Sequence, residues 1–145
     1  MLRATSILLV EDDPADQKLI KTSFKDQRIA NELHIVSSGE EGLDFLYGRG
    51  DHSGKRIRPD LILLDLNMPG MGGKEFLKRI KADENLKHIP VVILTTSSAE
   101  RDIIESYKLQ ASGYVNKPVS LDEFKDVVRQ IEEYWFMLCN RLPEN

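Results

Sequence analysis

The chain has 145 residues, a length typical of one domain. Its hydrophobic fraction of 41% is enough for one full core and its charged fraction of 30% is ordinary for a globular surface, which excludes disordered and fibrous classes. With 20 basic and 24 acidic residues, the net charge is −4, so the chain lacks the basic excess that attracts DNA or anionic lipid. We therefore expect no direct nucleic-acid partner and no membrane partner.

Cysteine usage and hydropathy favour the cytoplasm. Cys139 is the single cysteine, so no disulfide can form within the chain, and the sequence has no Cys/His cluster suited to zinc. The apolar run at 7–10 is too short for the core of a signal peptide, and no apolar stretch approaches the ~20 residues of a membrane span. We expect a cytoplasmic protein.

Strand and helix patterns alternate along the chain. Five short runs of apolar or β-branched residues predict buried strands at 7–10, 33–36, 61–64, 91–94 and 114–115. The segments between and after them have apolar residues three and four positions apart, which predicts helices. Because a parallel crossover requires a helix, this pattern predicts an α/β domain, a doubly wound five-stranded parallel sheet with five helices. In such folds the functional residues follow the carboxyl ends of the strands.

Capping residues stand where the helices should begin. Asp13 before Pro14 is typical of an N-cap followed by proline at the first helical position. Three Ser…Glu pairs have the spacing of a capping box: Ser38 and Glu41, Ser97 and Glu100, and Ser120 and Glu123. These signals agree with the boundaries that hydrophobic periodicity predicts.

Two segments depart from a minimal domain. Residues 48–59 form a polar connection that is longer than usual in such folds, and we interpret them as an insertion in a surface loop. The final helix, beginning at Leu121, would run about 28 Å out to Cys139 at ~1.5 Å per residue, so its last turns should extend beyond the core. We expect one domain spanning 1–145, with a core at about 5–136 and a C-terminal extension at 137–145.

Three carboxylates stand at the ends of strands that neighbour each other in a doubly wound sheet. Glu11 and Asp12 follow the first predicted strand, and Asp65 follows the four apolar residues of the third. Their like charges should repel each other in one shallow pocket, and a hard divalent cation relieves that repulsion. An oxygen-only site of this kind suits Mg²⁺. Asp13 is better explained as a helix cap.

Thr95 and Lys117 follow the fourth and fifth strands and should flank the same pocket. A lysine can neutralise phosphoryl oxygens and a threonine hydroxyl can donate a hydrogen bond to them, so the set predicts phosphoryl transfer to an aspartate. The segment 70–75 lacks the spacing of a Walker A motif, so ATP is not the evident donor. Hydrolysis by a Ser/His/Asp triad is disfavoured, because no histidine falls at a predicted strand end.

Over nearly its whole length, the sequence resembles a response-regulator receiver domain of two-component signalling, of the CheY type. Four segments carry the resemblance, at 10–13, 63–70, 94–96 and 111–118. The resemblance implies a flavodoxin-like strand order 2-1-3-4-5, phosphorylation on Asp65, and Mg²⁺ held by Asp12, Asp65 and the carbonyl of Asn67, with Glu11 acting through water. It also implies that Lys117 and Thr95 contact the phosphoryl group and that the Lys117–Pro118 bond is cis.

The family resemblance also implies a switch and a partner. The Thr95 hydroxyl would move towards the phosphoryl group and let Tyr114 turn inward, which would change the face of the fourth and fifth helices. Thr96 and the 72–73 glycine pair depart from the commoner family residues. The insertion, the 94–98 stretch and the 131–135 segment are similar to single-domain regulators that partner bacterial phytochrome-type histidine kinases, so a histidine kinase is the expected phosphodonor.

Two alternatives to a phosphoacceptor remain open, together with one question of assembly. The chain could be a phosphorylation-independent interaction module, or a haloacid-dehalogenase-type hydrolase, although the sequence 65–67 lacks the second acid that such an enzyme needs. We expect no enzymatic activity beyond weak Mg²⁺-dependent self-phosphorylation and self-dephosphorylation. The output should be a contact with another protein. The apolar residues Tyr134, Trp135 and Leu138 near the end of the final helix suggest a homodimer on the fourth/fifth-helix side, with packing inside the same chain as the alternative.

Overall fold

A five-stranded parallel sheet organises the chain. The computed structural model describes residues 5–25, 31–50, 58–66, 68–95 and 113–116, with four single positions of the final helix. The strands are β1 (Thr5–Val10), β2 (Asn31–Val36), β3 (Leu61–Asp65), β4 (Val91–Thr95) and β5 (Gly113–Asn116), and the described helices are α1 (Pro14–Lys25), α2 (Gly39–Tyr47) and α3 (Gly72–Ala82). The strand order is β2-β1-β3-β4-β5 and every pairing is parallel, which confirms the predicted fold.

Of the last two predicted helices, the structure describes only part of the final one. The helix expected between β4 and β5 lies outside the described residues. Of the final helix, four positions are helical and exposed: Asp122, Asp126, Arg129 and Glu133. They recur at helical spacing and so belong to its polar face, on which Arg129 pairs with Asp126 at 3.6 Å. The apolar stripe with Tyr134, Trp135 and Leu138 is outside the described residues.

The second strand is longer than its apolar pattern predicts. It begins at Asn31 rather than at position 33, because its backbone pairs with β1 along the full length, from Thr5↔Asn31 to Val10↔Val36. Since β2 is an edge strand, its polar residues can face solvent while their backbone groups complete the ladder. Pairing with a neighbouring strand therefore decides this boundary.

Alternate residues of each central strand pack on opposite faces of the sheet. One face, under α1, carries the cluster of Ile7, Leu9, Ile20, Phe24, Leu61, Leu63, Val92 and Leu94. The other face packs under α2 and α3, where Leu8, Val10, Ile62, Leu64, Val91 and Ile93 contact Leu46, Phe76, Leu77 and Ile80. Burial on both faces explains why these strands are continuous apolar runs.

The helix starts follow the predicted capping chemistry with one difference. The Asp13 carboxylate accepts from the Ala15 N–H at 2.8 Å, as an N-cap should. The Ser38 hydroxyl accepts from the Glu41 N–H at 3.0 Å, but the Glu41 carboxylate accepts from the Ser37 N–H at 2.8 Å rather than from Ser38. The capping box is thus displaced by one residue and orders the β2–α2 loop. Ser97 and Ser120 lie outside the described residues.

The two helices on one face approach closely through a glycine. A Cβ at Gly42 in α2 would lie 2.7 Å from Cε1 of Phe76 in α3, a ring that is fully buried.

Within the described ranges, no helix combines the length and the apolar character of a membrane span.

Candidate functional site

The first and third strands bring three carboxylates together at the carboxyl edge of the sheet. Strands β1 and β3 are direct neighbours, with Val10 opposite Leu64. Asp65 is the last residue of β3, and Glu11 follows β1 directly. Carboxylate oxygens of Glu11, Asp12 and Asp65 all lie within 4.8 Å of one another. The predicted convergence of these three residues is therefore present.

The cluster is more deeply buried than a shallow pocket would be. Glu11 is 0% exposed and Asp65 is 3% exposed, while Asp12 is half-buried. Two of the three carboxylates therefore sit beneath the surface, and Asp12 is the one that borders solvent.

The backbone after β1 is held on both sides. The Glu11 N–H donates to the Val36 carbonyl at 3.1 Å, which extends the β1–β2 ladder by one residue. The Glu11 carbonyl accepts from the side-chain amide of Gln17 at 2.5 Å, and the Asp13 N–H donates to the Glu11 carboxylate at 3.2 Å. Sequence reasoning missed Gln17. The sequence signal that could have identified Gln17 is its spacing: it stands four residues after the Asp13 cap, on the same side of the helix.

A glycine sets the position of the loop after β3. The Gly73 N–H donates to the Leu66 carbonyl at 3.2 Å, and a Cβ at Gly73 would lie 2.5 Å from Leu66 Cα and 2.6 Å from the Asp65 carbonyl oxygen. Only a residue without a side chain lets the start of α3 approach the strand end this closely. The spacing of residues in 70–75 did not predict this contact.

The backbone register places Thr95 at the same edge of the sheet and Tyr114 two residues short of it. Asp65 pairs with Leu94, so Thr95 at the end of β4 is one residue beyond the partner of Asp65. Thr95 in turn pairs with Asn116 of β5, and Tyr114 pairs with Ile93. The side chains of Thr95 and Tyr114 are outside the described part of the chain.

Asn67, Lys117 and the Lys117–Pro118 bond are also outside the described residues, so their predicted roles remain predictions.

The sequence predicts that no histidine stands at a strand end beside the acidic residues, and two described histidines agree with this. His34 lies within β2, and His88 is exposed in the turn before β4. Neither lies at the acidic edge of the sheet.

The donor set of the cluster fits a hard divalent cation. All three side chains offer oxygen, and up to three negative charges lie within 4.8 Å of one another. Mg²⁺ and similar ions prefer carboxylate, carbonyl and water oxygens, and they offset the mutual repulsion of the carboxylates. The donor set is therefore suited to Mg²⁺ or a similar ion.

A family model and two similar proteins relate this chain to response regulators and regulatory proteins. The response regulator receiver domain model matches residues 7–129. Response regulator Rcp1 of Synechocystis sp. is 43% identical over 129 residues, which cover 89% of this chain and 87% of Rcp1. The probable methanogenesis regulatory protein FilR2 of Methanothrix harundinacea is 39% identical over 137 residues, which cover 94% of this chain and 86% of FilR2.

Solved structures agree with the same family. The phosphorylated cyanobacterial phytochrome response regulator RcpA has a TM-score of 0.83 at 41% identity, covering 92% of this chain and 95% of RcpA. The Mn²⁺-bound form of Rcp1 has a TM-score of 0.79 at 43% identity, covering 90% of this chain and 94% of that one. The narrower resemblance to phytochrome-associated regulators is confirmed by these neighbours. The chain belongs to the response-regulator receiver family, the phosphoacceptor domains of two-component signalling.

Proposed function

We propose that this chain accepts a phosphoryl group on Asp65 from a histidine kinase, with Mg²⁺ bound beside that carboxylate. The observation that carries the proposal is the convergence of Glu11, Asp12 and Asp65 within 4.8 Å at the carboxyl edge of the sheet. Asp65 ends the central strand of five, so its carboxylate has a rigid support on both sides.

The same residues account for the cation. Asp12 and Asp65 would bind it directly with the carbonyl of Asn67, and Glu11 would act through a water molecule. The Mn²⁺-bound form of Rcp1 supports a divalent ion at this kind of site. When bound, the ion would supply a positive charge that offsets the carboxylates and the phosphoryl oxygens.

The chemical step is a displacement at phosphorus. A carboxylate oxygen of Asp65 forms a bond to the phosphorus of a phosphohistidine, and the P–N bond breaks with its electron pair remaining on the imidazole. Lys117 and Thr95 would contact the phosphoryl oxygens. A small phosphate anhydride could donate in the same way, and attack of water on the acyl phosphate would release inorganic phosphate. These reactions would constitute the weak self-phosphorylation and self-dephosphorylation.

The signal would leave through a change of surface. We expect the Thr95 hydroxyl to bind the new phosphoryl group and Tyr114 to occupy the space that Thr95 leaves. This would alter the face of the fourth and fifth helices, where a protein partner or a second copy binds. Tyr134, Trp135 and Leu138 would form part of a homodimer contact. Analytical ultracentrifugation with and without the phosphate mimic beryllofluoride tests this, and a monomer at every concentration in both states would exclude the dimer.

The proposed phosphodonor is a phytochrome-type kinase in the cytoplasm. RcpA, a phytochrome response regulator, supports this choice at 41% identity, whereas FilR2, a probable methanogenesis regulatory protein, is 39% identical. A phytochrome-type kinase and a kinase of another class should therefore differ in the rate at which they phosphorylate this chain. Incubation with an autophosphorylated phytochrome-type kinase and with an unrelated histidine kinase should give faster transfer from the first, and equal rates would remove the support for the pairing.

Intact-mass spectrometry tests the acceptor. After incubation with Mg²⁺ and acetyl phosphate, the native protein should gain one phosphoryl group, and Asp65→Asn should gain none. Asp60→Asn is the matched control, because Asp60 precedes the other end of the same strand and an asparagine can still accept from the Ser6 N–H. No adduct on the native chain, with the cation bound, would favour a phosphorylation-independent module; continuous release of phosphate from small esters would favour a hydrolase.

A further inference from the structure

The side-chain amide of Gln17 connects the two loops that border the acidic cluster. Gln17 lies in the first turn of α1 and is half-buried. Its Nε2 donates to the Glu11 carbonyl at 2.5 Å and to the Ser37 hydroxyl at 3.1 Å. A primary amide has two N–H groups, so a single side chain can satisfy both acceptors at once.

The first of these bonds holds the peptide that joins Glu11 to Asp12. The Glu11 N–H is already held by the Val36 carbonyl at 3.1 Å, so the Gln17 bond completes the restraint on this residue beyond the end of β1. The next side chain along the chain is that of Asp12. Because that peptide plane is held on its carbonyl side, rotation that would carry the Asp12 carboxylate away from Asp65 is opposed.

The second bond ties this peptide to the start of α2. Ser37 accepts from Gln17 through its hydroxyl, and its N–H donates to the Glu41 carboxylate at 2.8 Å. The β1–α1 loop is therefore held against the displaced capping box of α2, which is itself part of a packed helix. The restraint on Asp12 has a rigid support.

We propose that Gln17 is a positioning residue for the divalent cation site, acting through the Glu11–Asp12 peptide rather than by contact with the ion. This inference rests on the proposed cation site. Groups that orient metal ligands from outside the coordination sphere typically contribute 10- to 100-fold in affinity, and a residue that acts through the backbone belongs at about the lower end.

Two substitutions at position 17 separate positioning from charge. Gln17→Met keeps the length of the side chain and removes both donors, so Mn²⁺ binding measured by the loss of the free-ion EPR signal should weaken about 10-fold. Gln17→Glu also removes the donors but adds a negative charge near the site. Electrostatic attraction alone predicts tighter Mn²⁺ binding for Gln17→Glu, whereas the positioning role predicts weaker binding. Thr22→Ala, an exposed neutral position on the same helix, is the control and should bind normally.

A second readout excludes general damage to the fold. With acetyl phosphate as donor, Gln17→Met should need more Mg²⁺ for half-maximal phosphorylation but reach about the native rate at saturation, since the chemical groups remain in place. Native-like Mn²⁺ affinity in Gln17→Met would overturn the inference, and so would tighter Mn²⁺ binding in Gln17→Glu. If Gln17→Met does not fold, the Mn²⁺ affinity of Gln17→Glu decides the question. Absence of Mn²⁺ binding by the native protein would instead overturn the proposed cation site.

Discussion

Replacing Gly73 with alanine should both destabilise the fold and displace the strand end that carries Asp65. The new Cβ would lie 2.5 Å from Leu66 Cα and 2.6 Å from the Asp65 carbonyl oxygen, which is about 0.9 and 0.8 Å closer than an ordinary contact of 3.4 Å. Both of these neighbours are backbone atoms, which cannot rotate away, so the start of α3 and the end of β3 must move apart. Overpacking of this kind typically costs about 1–3 kcal/mol, and helix propensity offsets little of that cost because Gly73 lies in the first turn of α3. The net loss in the free energy of unfolding should be about 2 kcal/mol.

Gly72 provides a control matched in sequence and in stability. A Cβ at Gly72 meets no atom within 4 Å, but its φ of 75° is left-handed, which costs a non-glycine residue about 1–2 kcal/mol. Gly72→Ala should therefore lose a similar amount of stability without moving the strand end. Urea unfolding measures the first quantity for both variants.

Phosphorylation should separate the two variants. A displacement of about 1 Å at a reacting group can lower a rate by ~100-fold, so Gly73→Ala should react with acetyl phosphate at least about 10-fold more slowly than the native protein. Gly72→Ala should keep a rate within about twofold of the native value. Intact-mass time courses at saturating Mg²⁺ give both rates. If Gly73→Ala reacts as fast as Gly72→Ala, the close approach of α3 does not position Asp65 and the reasoning is wrong.

Three further predictions concern the cation, the helix contact and pH. Mg²⁺ at 100 times its Kd should raise the free energy of unfolding by about 2.7 kcal/mol, and Asp12→Asn should lose most of that gain in urea titrations; a full gain would exclude Asp12 as a ligand. Gly42→Ala should cost about 1–3 kcal/mol because its Cβ would lie 2.7 Å from the buried Phe76 ring, and a double-mutant cycle with Phe76→Leu should recover part of that cost, whereas additive effects would refute the contact. Burial lowers the pKa of Lys81 below 10.5, so the unfolded chain binds more protons just below that pH and stability should rise with pH there; Lys81→Met should show a smaller rise, and equal slopes would contradict the assignment.

Much of the fold was readable from local patterns. The central strands are recognisable because burial on both faces requires unbroken apolar residues, as at Leu61–Asp65, and Asp13 is recognisable as a cap because its carboxylate serves an N–H two residues away. The acids at the strand ends were predictable because all parallel strands deliver their carboxyl ends to one edge. Each of these features depends on spacing along a single segment.

The tertiary structure decided what depends on atoms from distant segments. Backbone pairing with β1 starts β2 at Asn31, where the polar residues carry no strand signal. Gln17 meets Ser37 across 20 positions of sequence, and Gly73 meets the backbone of Leu66 at a distance that only packing of α3 on the sheet creates. The residue types and the edge of the sheet were determined by the sequence alone. Burial of Glu11 and the supports around the acidic cluster were decided by three-dimensional packing, because hydrogen bonds and steric contacts between loops leave no periodic pattern in a single chain segment.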